Sequence, residues 1–156
     1  MPLKGYPEFK RWLYRGLRPN WIARIVNRAW AAVASAGVTN YMATLEVKGR
    51  KSGRTVWLPV VLTVVDGERY LVSMLGESGQ WVRNVRAAGG RAVLWSGRRE
   101  EVQLEEVSTD QRAPILRAYL QRASGARPHV PVSKDATLAE FEKIAAAFPV
   151  FRVAAR

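Results

Sequence analysis

The chain has 156 residues, 48% of them hydrophobic, with 25 Lys+Arg against 13 Asp+Glu and a formal net charge of +12. That size and apolar share suit one packed domain and exclude a disordered basic tail. The absence of cysteine and the single histidine exclude disulfide scaffolds, thiolate metal sites and thiol catalysis, and leave His129 as the only base for a Ser-His-Asp triad.

The first 37 residues are strongly cationic, with Lys4, Lys10, Arg11, Arg15, Arg18, Arg24 and Arg28 against Glu8. A short helix is predicted over 7–17, stopped by Pro19. A second is predicted over 20–36, where Trp21, Ile22, Ile25, Val26, Ala29, Trp30 and Val33 form an apolar stripe that ends at Gly37. Together they make an N-terminal helical segment, 1–37, ahead of a β-rich unit, 38–156, within a single domain. Trp12, Trp21 and Trp30 on the apolar face suit packing on that unit, or peripheral contact with a membrane through residues 8–36. No 18-residue apolar run and no signal-peptide pattern is present, so a cytoplasmic, optionally membrane-associated location is expected.

Strands are predicted over 41–47, 56–65 and 69–74, the last two joined by the hairpin dipeptide Asp66-Gly67. After a loop over 75–80, a helix is expected from Trp81 to Ala88, stopped by Gly89-Gly90. Strands over 91–96 and 100–107 turn at Gly97. Ser108 with Gln111 reads as a capping box for a helix reaching Ala123, and Thr137 with Glu140 as another for a helix reaching Ala147. The stretch 124–136 reads as a loop, and 150–153 as a last strand. Hairpin connections with few crossover helices predict an antiparallel sheet, curled into a small barrel with helices at its ends or sides. A Rossmann fold is excluded, because no glycine-rich turn joins a strand to a long helix.

The chemistry starts at Lys48-Gly49-Arg50-Lys51-Ser52-Gly53-Arg54, which packs four cations, two glycines and a hydroxyl between two strands. Guanidinium forks, an ammonium and glycine-exposed amides are what a phosphate or carboxylate site requires. The same composition also describes a solvated basic turn. It is not a Walker loop, since no helix follows.

Gly49-Arg50-Lys51-Ser52-Gly53-Arg54 followed by Pro59 and the Asp66-Gly67 hairpin resembles the opening signature of the deazaflavin (coenzyme F420)-dependent nitroreductase family. The stretch Trp81-Val82-Arg83-Asn84-Val85, leading to Arg98 and Arg99, resembles that family's second signature. The resemblance spans about residues 44–107 and extends weakly to 148–153. It implies a mainly β fold with α, a small antiparallel split β-barrel. It also implies an oxidoreductase that binds reduced F420 and passes a hydride to a small hydrophobic acceptor: a quinone, nitro compound or activated alkene.

Carried over by position, the resemblance gives Arg50, Lys51, Ser52 and Gly53 to the cofactor's phosphate and acidic tail, with Arg54 at the edge. Pro59 belongs to the same signature. Ser73, Met74, Leu75 and Gly76 would supply main-chain contacts to the deazaflavin and its linker, and Trp81 and Asn84 would flank it. Val56 and Trp57 depart from the family pattern, which favours arginine and a polar residue there. No acid–base dyad is needed when a cofactor supplies the reactive chemistry. Tyr119 and His129 are the candidate proton donors or substrate contacts; a packed tyrosine and a water-facing loop histidine are the plainer readings. Arg83, Arg86 and Arg91 read as a solvated face. Two other functions stay open: an FMN- or haem-binding barrel, and a basic nucleic-acid module. The second rests on net charge alone, has no recognised motif, and is set aside as a partner class. No metal site is expected, and monomer and dimer are both open.

Overall fold

A computed structural model describes residues 41–156. The predicted N-terminal helices, their tryptophans and the membrane contact through 8–36 lie outside the described residues. Seven strands form one antiparallel sheet: β1 (Met42–Lys48), β2 (Thr55–Val61), β3 (Thr63–Val65), β4 (Glu68–Val72), β5 (Arg91–Trp95), β6 (Arg99–Glu106) and β7 (Val150–Ala155). Their spatial order is β2-β1-β5-β6-β7-β4-β3. Three helices accompany them: α1 (Gln80–Ala87), α2 (Ala113–Arg122) and α3 (Leu138–Ile144). This is the half-barrel that the hairpin pattern predicts.

The sheet curls around alternate side chains. Ala43, Leu45 and Val47 of β1 face inward with Leu94, Val102, Leu104, Phe151 and Val153, all buried. Helix α1 plugs this interior with Val82 and Val85, both fully buried, while Arg83 and Arg86 face out. A second core lies under α2 and α3, where Ile115, Leu116, Leu120 and Phe141 pack on Val72, Phe148 and Val150. Two layers sharing one sheet thus give each helix a place to bury its apolar face.

Local signals hold closely at the turns. Asp66 and Gly67 both have positive φ, 51° and 78°, the signature of the tight hairpin turn whose twist matches its strands. Thr137 caps α3, its hydroxyl accepting from the Glu140 N–H at 3.3 Å. Two expectations need correction. The single strand expected over 56–65 divides at Leu62, because β2 pairs with β1 and β3 with β4 at opposite ends of the sheet. One strand bends to serve both edges, and Arg122 of α2 donates to the freed Leu62 carbonyl at 3.2 Å. The Ser108 cap also fails: its side chain makes no cap bond, Thr109–Gln111 is a 3-10 turn, and α2 starts only at Ala113. Pro114 explains the delay, since its ring is favoured in a first helical turn and its missing N–H costs nothing there.

The barrel is also clasped across one strand. Arg69 of β4 reaches over β7 to Glu100 of β6 in a two-pronged pair, 2.8 and 2.9 Å. The Arg69 hydrogen bond holds the Glu100 carboxyl below its usual pKa. A group whose folded pKa is depressed stabilises the fold above its unfolded pKa and loses that effect as pH falls through the folded value. Glu100→Gln is therefore expected to cost about 1 kcal/mol at neutral pH, a difference that vanishes well below pH ~4. Urea melts of both proteins at the two pH values check it; an undiminished gap at low pH would refute the assignment.

Candidate functional site

The basic turn is built by its own backbone. Gly49 N–H donates to the Arg54 carbonyl at 2.7 Å, and Gly53 N–H to the Gly49 carbonyl at 2.9 Å. The Arg54 N–H donates to Ser52 Oγ at 3.1 Å. A side chain at Gly49 would sit 2.9 Å from Ser52 Oγ and 3.1 Å from the Arg54 carbonyl, so glycine there spares the turn a displaced Ser52 hydroxyl and a crowded carbonyl. Lys51, Ser52, Gly53 and Arg54 are all exposed on its outside. Among the described residues, Lys51, Arg54 and Arg83 enter no ion pair.

Arg50 is different. Its guanidinium donates to Asn84 Oδ1 at 2.8 Å and to Gln80 Oε1 at 2.9 Å, and its backbone N–H reaches the same Asn84 oxygen at 3.1 Å. Asn84 is 6% exposed, so one shielded amide oxygen accepts two bonds from one residue. Arg50 thereby clamps the turn onto the first half of α1.

The second candidate segment, 73–76, meets α1 at its other side. Ser73 is buried; its N–H donates to the Pro149 carbonyl at 3.0 Å and its hydroxyl to the Gly76 carbonyl at 2.7 Å. Gly79, which starts α1, would place a Cβ 2.8 Å from Ser73 Oγ. No side chain caps α1, so its first amides remain free of a capping group. The basic turn and the 73–79 loop thus converge on the start of one helix. That end carries the positive pole of the helix, and the turn that Arg50 ties to it exposes Lys51 and Arg54, an arrangement suited to anions.

The remaining predicted residues are spread more widely. Trp81 is half-buried and packs on Phe151 with ring centroids 5.5 Å apart and planes at 56°. Pro59 sits in β2, a sheet edge, where a residue without an N–H breaks no ladder. Met74 and Leu75 are half-buried. Tyr119 lies in the second core at 5% exposure, and burial pushes its phenol pKa up, so the group stays protonated. His129 ends the 3-10 turn Ser124–His129, half-buried, with its Nε2 shielded from solvent. An open groove of about 380 Å³ lies on the outer face of β1 and β5, lined in part by Glu46, Lys48, Gly53, Arg91 and Glu101. Its mixed charge distinguishes it from the cationic turn.

Several residues are invisible to motif reading. Gln80 shares the Arg50 clamp. Arg86 lies on the solvated face expected for it and is also held there between Glu77 and Glu106. Arg112 is a buried cation, 5% exposed. No local pattern marks them, since each depends on a partner brought in by the fold.

Comparison with known proteins adds the chemistry. No curated protein sequence matches the chain. Among solved structures, a conserved hypothetical protein of Mycobacterium tuberculosis superposes with TM-score 0.55 at 18% identity, covering 81% of this chain and 79% of that one. A haem-binding protein from Mycobacterium smegmatis gives 0.52 at 15% identity, covering 89% and 52%. A structure described as a domain-swapped dimer gives 0.50 at 14% identity, covering 85% and 96%. These likenesses carry the split-barrel fold alone. Among the described residues, no helix is long and apolar enough to cross a membrane. A family model described as F420H(2)-dependent quinone reductase matches residues 22–133, most of the chain and every site residue from Arg50 to His129. On that match, carried by a barrel of the expected architecture, the chain belongs to the F420H(2)-dependent quinone reductase family, an oxidoreductase whose cofactor is coenzyme F420.

Proposed function

We propose that the chain reduces a quinone-type acceptor, binding F420 where the basic turn and the 73–79 loop converge on α1. The observation that carries this reading is the Arg50 clamp, which joins the two family motifs, 34 residues apart, into one surface. The residues fit a phosphorylated anionic cofactor. Lys51 and Arg54 present charge that no described carboxylate neutralises, Gly53 leaves open space above its backbone, and the start of α1 is uncapped. In this reading Lys51, Ser52, Gly53 and Arg54 bind the phosphate, while Arg50 positions them through Asn84 and Gln80. Main-chain groups of residues 73–76 orient the ring system, and Trp81 braces that side of the barrel through Phe151.

Reduced F420, when bound, supplies the hydride, so the protein's own task is binding, orientation and exclusion of water. The shielded Tyr119 phenol serves packing in this reading. The proton for the reduced product comes from solvent or from His129.

Titration of the purified protein with F420, followed by turnover with a soluble quinone, tests the reading. Tight saturable binding and quinone-dependent oxidation of F420H2 support it; no binding overturns it. An FMN or haem spectrum carried through purification would favour those cofactors instead. Lys51→Ala is expected to weaken F420 binding about tenfold, the loss of one charge-assisted contact, with the melting temperature unchanged. An unaltered dissociation constant would move the phosphate away from this turn.

A further inference from the structure

Loop 73–79 carries two glycines, and its only charged side chain is Glu77. Short hydrogen-bonded turns shape it from within, at the Gly76 and Ser73 carbonyls, and its one charge is held from outside. Both oxygens of Glu77 accept from Arg86, Nη1 at 2.6 Å and Nη2 at 3.2 Å. Arg86 also donates through Nε and Nη2 to Glu106 at 2.9 and 2.8 Å. Glu106 in turn accepts from Arg112 Nη2 at 3.3 Å. Arg112 then turns inward, its Nη1 donating to the carbonyls of Ala145 at 3.1 Å and Phe148 at 3.4 Å. Those carbonyls bracket the 3-10 turn Ala145–Ala147.

That turn comes back to the loop. A Cβ on Gly76, where φ is +69°, would lie 2.7 Å from the Ala147 carbonyl oxygen. The contacts therefore close a ring: Glu77 to Arg86, Glu106, Arg112, the 145–147 turn, and back to Gly76. One side of the loop is gripped by Arg86 through the Glu77 carboxylate, and the other lies against a backbone that Arg112 fixes.

We infer that Glu77, Arg86, Glu106 and Arg112 are positioning residues for the cofactor: an ionic ring that sets the conformation of loop 73–79 without touching F420. The inference rests on the proposed reading that this loop contacts the deazaflavin. A lone exposed ion pair is worth too little to order a loop. Here the guanidinium of Arg86 is forked onto two carboxylates, and the chain ends on a buried cation, so the charges act together. The Arg86 hydrogen bond also draws the Glu77 carboxyl below its usual pKa, as a retained ion pair requires.

The test compares Glu77→Gln and Arg86→Lys with the unaltered protein. Glu77 and Arg86 are both exposed enough for these changes to leave the fold intact. In cofactor-free protein, the amides of Gly76 and Gly79, which donate to Ser73 and Gly76 carbonyls at 3.2 Å, are expected to exchange with solvent about fivefold faster in Glu77→Gln. The KM for F420 rises by a similar factor, about fivefold, and kcat at saturating F420 changes less than KM. Arg86→Lys keeps the charge but loses the double fork, and falls between the two.

Gly76→Ala separates this inference from the reading beneath it, because it pushes the loop off the Ala147 carbonyl directly. If Gly76→Ala unfolds the protein, Ser73→Ala serves the same purpose by removing the bond to the Gly76 carbonyl. Should the chosen loop variant leave F420 affinity unchanged, loop 73–79 does not contact the cofactor and the reading falls. Should it weaken affinity while Glu77→Gln and Arg86→Lys alter neither exchange nor KM, the ring does not position the loop and the inference falls. Faster exchange with an unchanged KM overturns it as well.

Discussion

Asn84→Ala is expected to raise the dissociation constant for F420 by about tenfold to a hundredfold, and Asn84→Asp to recover most of that loss. The argument is one of unmet hydrogen bonds. A single Oδ1 accepts from both the backbone N–H and the guanidinium of Arg50, in a position 6% exposed. Alanine removes the acceptor and leaves a charged donor partly buried without its partner. Bonds to charged groups are worth about 1.5–3 kcal/mol, and about 1.4 kcal/mol is tenfold in an equilibrium constant. The turn relieves the penalty by leaving α1, and Lys51, Ser52 and Arg54 go with it. Aspartate keeps the acceptor atoms and adds an ion pair to Arg50. Fluorescence titration of the three proteins decides the matter. If Asn84→Ala binds as tightly as the unaltered chain, the clamp does not shape the anion site.

Arg112→Met is expected to carry the largest cost to stability, about 3–5 kcal/mol, because several hydrogen bonds of one buried charged group are lost together. Its guanidinium, on a residue 5% exposed, satisfies the carbonyls of Val107, Ala145 and Phe148 and pairs with the more exposed Glu106. Methionine fills similar space and removes the guanidinium from all three carbonyls, of which Ala145 keeps the Phe148 N–H at 3.3 Å. For a domain of this size the loss corresponds to a melting temperature lower by about 10 °C. Arg112→Lys restores only part of it, because an ammonium cannot fork to three carbonyls spread over two segments. Thermal and urea melts give the values. A loss below about 1 kcal/mol would mean that water replaces the guanidinium, and would deprive the ionic ring of its buried end.

Much of the barrel is legible before any coordinates exist. The strand over 91–96 and its partner over 100–107 appear as β5 and β6 with ends shifted by one residue. Helix α1 starts one residue before expectation, since Gly79 begins it and Gly89 follows its end. The departures share one cause. Residues 56–65 alternate like one strand, yet the sheet needs two directions from them, one at each edge. Ser108 carries a capping pattern, yet Pro114 and the inward pull on Arg112 start α2 five residues later. In both cases a long-range requirement overrides a local preference.

The candidate site divides in the same way. Residue order by itself determined the Asp66-Gly67 turn, most of the strands, the helix after the 75–80 loop and the clustering of cations in the 48–54 turn, because each depends on neighbours within a few residues. The type of turn at Asp66-Gly67 and the cap at Thr137 belong there too. Only the tertiary structure decided what each cation does. Arg50 and Lys51 are adjacent and chemically alike, but one is bound to an amide 34 residues away and the other is exposed. Arg86 looks like Arg83 on the same helix, yet it meets Glu106 from a strand 20 residues on, while Arg83 enters no ion pair among the described residues. Arg112 is a buried cation because Phe148, 36 residues later, returns a carbonyl to it. A charge's partner is set by which strands become neighbours when the sheet curls, and no local pattern carries that information. The net charge of +12 by itself names no ligand, and among the described residues the fold decides which cations are paired and which stay exposed.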